Sequence, residues 1–205
     1  MAKTNWEAGI QTIDEKREIK RRKILRVAAQ AFNQHGFYKT TLSFLASQLQ
    51  VTKPTLYYYV KDKDDILFGI LELATEQFQQ IIQDSYEFAG SGLDRLRYFY
   101  QQYGKVVTDD FGICLVLMRI NSPEPKFRSH YRILSKEIMT AMVGFIQAGI
   151  DDGSIGFCDP KFMVSAMLGT MNETVYWYVF YERESPLAAA NSFFDNFING
   201  LNPNG

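Results

Sequence analysis

The residues best suited to bind a partner lie at positions 51–67, which read VTKPTLYYYVKDKDDIL. On a short helix, their basic, hydroxyl and apolar side chains can turn polar groups outward while apolar groups anchor the helix. Lys53 could donate hydrogen bonds to guanine O6 and N7, and Pro54 and Thr55 could pack on thymine methyl groups. The side chains that could reach base edges are Lys53, Pro54, Thr55 and Tyr57 or Tyr58.

Residues for catalysis are scarce. The chain contains no Gly-rich phosphate loop and no paired-carboxylate motif, and it has only two cysteines and two histidines. Cys114 or Cys158 with His130 is the one conceivable nucleophile pair, but a packed, inert cysteine is the more frequent case. We therefore expect no enzyme, no metal site and no cofactor, and a small helical enzyme is the remotest alternative.

The charge is divided along the chain. Residues 16–63 carry 11 basic and 2 acidic side chains, whereas residues 66–205 carry 10 basic and 16 acidic ones. A basic segment on an acidic body is typical of a polyanion-binding head. A solvated lysine-rich face would give the same count, and charge alone does not choose between the two.

Hydrophobic periodicity predicts an all-α fold of about nine helices. The first runs from Lys16 to about His35 and ends at Gly36, and Thr41 and Thr52 can N-cap two short helices. No convincing alternating strand is present. The later helices are expected at 64–88, 93–108, 111–120, 124–150, 160–182 and 186–200.

The two short helices are spaced as in a helix-turn-helix. Ala46, Gln50, Val51 and Leu56 occupy relative positions 0, +4, +5 and +10, where a small residue, a turn residue and two apolar anchors are needed. The turn position often requires a positive φ angle, and a residue other than glycine costs roughly 1–2 kcal/mol there. Gln50 is therefore a departure from the favoured residue.

These residues resemble the TetR family of transcriptional regulators. The likeness runs through HGFYKTTL (35–42), LA (45–46) and VTKPTLYYYVKDKDDIL (51–67). Phe44 departs from the family, which often has an acidic or amide residue there to complete a capping box. The resemblance implies that Thr41, Tyr58, Tyr59 and Lys63 hold DNA phosphates. We add Thr52, Lys61 and Arg22 as further DNA-binding candidates.

We expect three parts along the chain, the first from its lack of helical periodicity and the other two from the resemblance. A flexible arm would cover 1–15, a helix-turn-helix DNA-binding domain 16–63, and a helical effector-binding and dimerisation domain 64–205. The last two helices, 160–182 and 186–200, would form a homodimer, because their faces are too apolar for a free surface. Burial in the core of the same chain remains the alternative.

A ligand pocket is implied among the fourth to eighth helices. The ending of the chain also looks like that of regulators that respond to acyl-CoA thioesters, although Tyr176 stands where those often have an arginine. A mostly apolar pocket would suit such an effector. The candidate lining residues are Phe78, Tyr98, Tyr103, Val107, Phe111, Met118, Met142, Phe145, Asn172, Tyr176 and Trp177.

We thus expect a cytoplasmic repressor that is released from a palindromic operator in double-stranded DNA by a small apolar effector. Segment 162–181 is long enough to span a membrane, but Asn172 and Glu173 at its centre favour a buried helix. An effector-independent DNA-binding regulator is the main alternative. A membrane-surface role for the basic helix 16–35 would leave the helix-turn-helix unexplained.

Overall fold

The computed structural model describes residues 13–122, 124–181, 188, 192 and 194–198, without the side chains of 13, 120–121 and 177–181. Within these ranges all regular structure is helical, which confirms the predicted fold class. Residues 194–198 are helical and lie inside the predicted ninth helix. The eight preceding helices are α1 (Ile13–His35), α2 (Leu42–Gln48), α3 (Lys53–Tyr57), α4 (Lys63–Glu87), α5 (Gly92–Val107), α6 (Asp110–Asn121), α7 (Pro125–Asp151) and α8 (Pro160–Tyr181).

The chain forms two compact units, Met1–Leu67 and Phe68–Gly205. The boundary lies a few residues after the predicted division at 63. Helix α4 begins in the N-terminal unit and continues without a break into the C-terminal unit. The predicted arm lies outside the described residues up to 12, and residues 13–15 belong to α1 rather than to an arm.

Helix ends lie where the predicted capping residues stand. Gly36 follows α1 with a φ angle of 82°, a left-handed conformation that glycine adopts without strain. The Thr41 hydroxyl accepts a hydrogen bond from Phe44 N at 3.1 Å, and the Thr52 hydroxyl accepts one from Thr55 N at 3.3 Å. Both threonines therefore satisfy N–H groups that their helices leave unpaired.

The C-terminal unit is built around α5, which packs against α6, α7 and α8. The start of α5 approaches the end of α7 so closely that a Cβ atom on Gly92 would collide with the backbone of Gly149. Gly92 N also donates to the Asp152 carboxylate at 2.8 Å, which fixes this junction. The core of the unit includes the buried Leu96, Phe99, Phe111, Leu134, Phe145 and Val164.

Most of the described apolar residues of the last two helices are buried or half-buried within the chain itself rather than exposed for a second copy. On α8, Val164, Met167, Met171 and Val175 are buried within the chain itself, whereas Phe162 is 73% exposed. Phe194 is also buried, with its ring centroid 5.0 Å from that of Tyr100. The core of the same chain covers these five buried residues, which is the alternative that the sequence left open for the apolar faces of these helices.

Among the described residues, one helix is long and apolar enough to cross a membrane by length and composition, and that helix is α7. The same criteria are met by core helices of soluble proteins. Phe127, Leu134, Met142 and Phe145 of α7 are buried, and the helix packs on α5 and α8. These contacts explain its hydropathy without a membrane.

Candidate functional site

The N-terminal unit holds α2 and α3 in the arrangement that the sequence predicts. Leu45, Ala46 and Leu56 are buried where the two helices meet, and Val51 N donates to Ala46 O at 3.0 Å to close the turn. Val51 itself is 38% exposed, so it contributes less to this core than the pattern predicts. The helix pair is thus anchored by α1 and by its own small interface.

Gln50 occupies the turn with a φ angle of 55°. It is the only described residue other than glycine with a positive φ angle. The helix-turn-helix spacing predicts this conformation and its cost. The turn nevertheless forms, because Gln50 N donates to Ser47 O and Val51 N donates to Ala46 O, both at 3.0 Å.

Helix α3 presents a polar surface at its beginning. Thr52, Lys53, Pro54 and Thr55 are all exposed. The hydroxyls of Thr52 and Thr55 lie 2.8 Å apart and share a hydrogen bond, so Thr55 is held in one orientation. Lys53 therefore stands as an exposed cation beside fixed methyl and hydroxyl groups.

The three consecutive tyrosines have different environments. Tyr57 is 54% exposed and Tyr58 is 62% exposed, whereas Tyr59 is half-buried. The ring of Tyr58 meets that of Tyr59 edge-on at 5.0 Å, and the Arg17 guanidinium lies 5.5 Å from the Tyr58 ring centroid. Tyr59 is thus the inward-facing tyrosine of the group, and the other two remain accessible.

The ammonium group of Lys63 already makes contacts within the N-terminal unit. Its Nζ atom donates to Phe37 O at 2.7 Å and lies 4.4 Å from the centroid of the Phe37 ring. The side chain is half-buried, whereas that of Lys61 is exposed. An ammonium group has three donors, so Lys63 retains two for a phosphate while it fixes the segment after α1.

Asp65 joins three segments of the N-terminal unit. Its carboxylate accepts two hydrogen bonds from Arg21 at 3.0 and 3.2 Å and one from Lys61 N at 2.9 Å. Arg21 also donates to Tyr59 O at 2.7 Å. Partial burial raises the pKa of Asp65, but the Arg21 and Lys61 interactions outweigh it and hold the pKa below its usual value. The ion pair fixes α1 to the end of the helix-turn-helix.

The C-terminal unit contains an internal cavity of about 110 Å³ between α4, α5, α6, α7 and α8. Its inner wall is fully buried and apolar apart from one phenol, that of Tyr103. Tyr103 donates from its hydroxyl to Asn172 Oδ1 at 3.2 Å. The lining residues are Phe78, Tyr103, Val107, Leu115, Val116, Tyr131, Leu134, Ser135, Ile138, Met139, Leu168 and Asn172.

Burial has a clear electrostatic effect around this cavity. It raises the pKa of Tyr103 far above that of a free phenol, and it raises the pKa of Tyr100 to about 12. Both tyrosines therefore remain protonated at neutral pH, and Tyr103 stays a hydrogen-bond donor. Among the described residues no charged one lines the cavity, whose polar lining residues are Tyr103, Tyr131, Ser135 and Asn172.

The cysteines do not form a nucleophile site. Cys114 is fully buried, and burial raises the pKa of its thiol to about 12, so almost no thiolate exists at neutral pH. Burial and the adjacent Asp159 raise the pKa of the Cys158 thiol as well. His130 instead places its ring edge-on to Phe68 at 4.9 Å, and its Nδ1 atom lies 3.0 Å from Lys126 O.

Two family profiles match the chain. Residues 24–70 match the profile described as bacterial regulatory proteins of the tetR family, and residues 89–201 match the tetracyclin repressor-like C-terminal domain. The second match alone covers more than half of the chain. The chain belongs to the TetR family. It is therefore a DNA-binding transcriptional regulator of a non-enzymatic family.

Individual TetR-family relatives are distant in sequence. The fatty acid metabolism regulator protein of Bacillus subtilis is 22% identical over 181 residues, which span 87% of this chain and 93% of that protein. The solved structure of FadR from Bacillus subtilis in complex with stearoyl-CoA is 21% identical, covers 88% of this chain and 99% of that chain, and has a TM-score of 0.67. The structure of AibR in complex with isovaleryl coenzyme A and operator DNA is 19% identical, covers 87% and 98%, and has a TM-score of 0.71. These structural likenesses show a shared fold.

The predicted DNA-binding residues of this TetR-family head all lie in the N-terminal unit, and most are accessible. Tyr59 and Lys63 are the two half-buried members. Their DNA contacts remain predictions. The exposed members are Thr41, Thr52, Lys53, Pro54, Thr55, Tyr57, Tyr58 and Lys61, together with Arg22.

Only some of the predicted effector residues of the TetR-family body line the cavity. Phe78, Tyr103, Val107 and Asn172 line the cavity, whereas Phe111, Met118, Met142 and Phe145 are buried elsewhere in the core. Tyr98 stacks on Phe88 at 4.7 Å, and Tyr176 lies under the Arg119 guanidinium at 5.4 Å; neither lines the cavity. The side chain of Trp177 lies outside the described residues.

Sequence reasoning missed the whole α7 wall of the cavity, because its candidates on that helix were Met142 and Phe145. Tyr131, Ser135 and Met139 recur every four residues on one stripe of α7, which was not separated from the core stripe that carries Leu134 and Ile138. Glu173, which the sequence places beside Asn172 as a buried polar group, is exposed. Consecutive residues of a helix point in different directions, so the Asn172 amide faces the cavity whereas the Glu173 carboxylate lies at the surface.

Proposed function

We propose that this TetR-family regulator is a homodimeric, cytoplasmic repressor that a small, largely apolar effector releases from a palindromic operator. The observation that supports an effector is the largely apolar cavity with its Tyr103–Asn172 pair in a chain that also carries a helix-turn-helix. A purely architectural DNA-binding protein needs no such cavity. Acyl-CoA thioesters are the proposed effector class, because two relatives of the same fold are seen with stearoyl-CoA and isovaleryl coenzyme A.

Helix α3 is the proposed recognition helix. Lys53 at its exposed start would read a guanine, while Thr41, Thr52, Tyr58, Lys61 and Lys63 would hold phosphates. An α3 of five residues offers few base contacts, so two copies are needed for a specific site. In B-form DNA their recognition helices would stand about 34–36 Å apart, one turn of duplex.

The outward face of α8 is the proposed dimer interface. Phe162, Ser165, Gly169 and Glu173 are exposed on this face, and an added Cβ at Gly169 would meet no atom within 4 Å. An exposed phenylalanine and a small residue at the centre allow a second α8 to approach closely. This face is separate from Val164, Met167, Met171 and Val175, which are buried in the core of the same chain.

Salt-dependent DNA binding tests the recognition surface. Lys53→Ala should weaken binding to a palindrome found beside the gene, by about 1–3 kcal/mol per half-site, and should affect random duplex much less. Lys61→Ala should weaken both duplexes and lower the salt slope by about 0.9 for each phosphate that the side chain no longer neutralises. Lys61 is the better phosphate probe, because Lys63 also holds Phe37. Wild-type behaviour of both variants would place the recognition surface elsewhere.

A further inference from the structure

The internal cavity has a closed end and an open rim. Phe78, Val107, Val116 and Leu134 at the closed end are each at most 2% exposed. The rim belongs to α7 and α8, where Tyr131, Ser135, Leu168 and Asn172 are half-buried and Met139 is 40% exposed. A ligand would therefore enter between α7 and α8, with its apolar part foremost.

The Tyr103–Asn172 pair lies where the apolar part of such a ligand would meet its polar part. Asn172 lies on the rim and accepts from the Tyr103 hydroxyl, which leaves its Nδ2 group as a donor beside the cavity. A carbonyl oxygen is the matching acceptor. The polar remainder of the ligand would stay outside the rim, in water.

An aromatic wall limits how deep the apolar part can reach. The Tyr103 ring lies 5.2 Å from Phe78 and 6.0 Å from Phe99, and Phe99 lies 5.9 Å from Phe145. Phe78, Phe99 and Phe145 are all buried, so none can swing out into solvent without opening the core. The cavity consequently ends at Phe78 and Tyr103, the two of these rings that line it.

The volume of the cavity limits the size of the apolar group that it can hold. An apolar protein cavity of about 150 Å³ holds benzene, which has six carbon atoms. A cavity of about 110 Å³ is smaller than that. It is also well below the roughly 300 Å³ at which pockets for larger ligands begin.

Building on the proposed function, we infer that this cavity selects acyl thioesters with short apolar acyl groups of about four or five carbon atoms. The thioester carbonyl accepts a hydrogen bond from Asn172, and the acyl group fills the space up to Phe78. The coenzyme A part remains outside the cavity, between α7 and α8. Phe78 is the residue that determines chain length.

Calorimetric titration of the intact protein with acyl-CoAs of increasing length tests this inference. Isovaleryl-CoA should bind at least tenfold more tightly than stearoyl-CoA and than free CoA. Equal or tighter binding of stearoyl-CoA would overturn the length selection and leave the proposed function standing. Binding of free CoA as tight as that of isovaleryl-CoA would overturn the use of the cavity. Failure of every acyl-CoA to bind would overturn the proposed effector class itself.

Substitutions at Phe78 and Asn172 test the role of the aromatic wall and that of the polar pair separately. Phe78→Ala should move the preferred acyl length upward, and Phe78→Leu provides a milder enlargement if the alanine variant does not fold. Asn172→Ala should weaken isovaleryl-CoA about tenfold, the effect of removing one hydrogen bond. Tyr98→Ala is the matched control, because Tyr98 stacks on Phe88 away from the cavity, and it should leave the length profile unchanged. An unchanged profile in a folded Phe78 variant would contradict the inference.

Discussion

At Gln50, a side chain occupies a backbone conformation that favours glycine, with a φ angle of 55°. Gln50→Gly should relieve roughly 1–2 kcal/mol of strain, against a glycine entropy cost of about 0.5–1 kcal/mol. We expect the free energy of unfolding to rise by about 0.5–1 kcal/mol, measured by urea denaturation.

Ser47→Gly is the matched control, because Ser47 is exposed and lies inside α2 with helical geometry. Glycine there should lower the free energy of unfolding by about 0.5 kcal/mol, the difference between the helix propensities of serine and glycine. The two variants thus differ in sign. A Gln50→Gly variant that loses as much stability as Ser47→Gly would show that the turn is not left-handed.

At Asp65, the ion pair with Arg21 gives stability a pH dependence. The pKa of this carboxyl is lowered in the folded protein, so its contribution is present above the unfolded value of 3.8 and disappears as pH falls through the folded value. Asp65→Asn should therefore destabilise the protein at neutral pH, with a difference from wild type that shrinks as the pH falls below about 4. Urea denaturation at several pH values measures this difference in the free energy of unfolding.

Glu72→Gln controls for the loss of a carboxylate, because Glu72 is exposed on the same helix. We expect its unfolding curve to follow that of the wild type at every pH. A constant difference between Asp65→Asn and the wild type across the acid range would contradict the role of the ionised carboxylate.

Helix boundaries were predicted from the sequence because local chemistry determines them. Thr41 and Thr52 cap their helices and Gly36 ends α1 at the positions that the sequence indicates. The partner of an apolar face was not predictable in the same way. Periodicity shows that Val164 and Phe194 are buried but does not show whether the same chain or a second copy covers them, and the structure places both in their own core.

The cavity was predicted only in part for a related reason. Phe78, Tyr103, Val107 and Asn172 were identified by type and position, but Met142 and Phe145 have the same character and fill the core instead. A void depends on where side chains from five helices fail to meet. That geometry is not encoded in the spacing of any one helix.

Helix α4 is the element that continues from one unit into the other, and we propose that it couples effector binding to DNA binding. Glu72 and Glu76 are exposed on it. Replacing both by glycine should weaken the helix by about 1–1.5 kcal/mol and reduce the factor by which effector lowers DNA affinity. Fluorescence anisotropy of labelled operator with and without isovaleryl-CoA measures that factor.

The control pair for this experiment is Lys136→Gly with Thr140→Gly, two exposed positions with the same spacing on α7, which lies wholly within the C-terminal unit. We expect this double variant to keep the coupling factor of the wild type. Equal loss of coupling in the two double variants would mean that general softening of the fold, rather than α4, is responsible.

For the whole molecule, the proposed dimer would form through the face of α8 on which Phe162 and Gly169 are exposed. Gly169→Arg should be tolerated by the monomer, because the site is open and arginine favours a helix over glycine. Sedimentation should nevertheless show dissociation of the dimer, together with weaker binding to a palindromic duplex. Gly144→Arg on the exposed surface of α7 should remain dimeric. A dimeric Gly169→Arg protein would exclude this face as the interface.

Reciprocal binding tests most directly the claim that effector and operator control one another. Isovaleryl-CoA is titrated calorimetrically into the free protein and into its operator complex. We predict that operator DNA weakens effector binding by roughly 5- to 150-fold, a coupling of about 1–3 kcal/mol, and that the effector weakens operator binding by the same factor. Equal effector affinity in the two titrations would contradict the account and leave a repressor that does not respond to this effector.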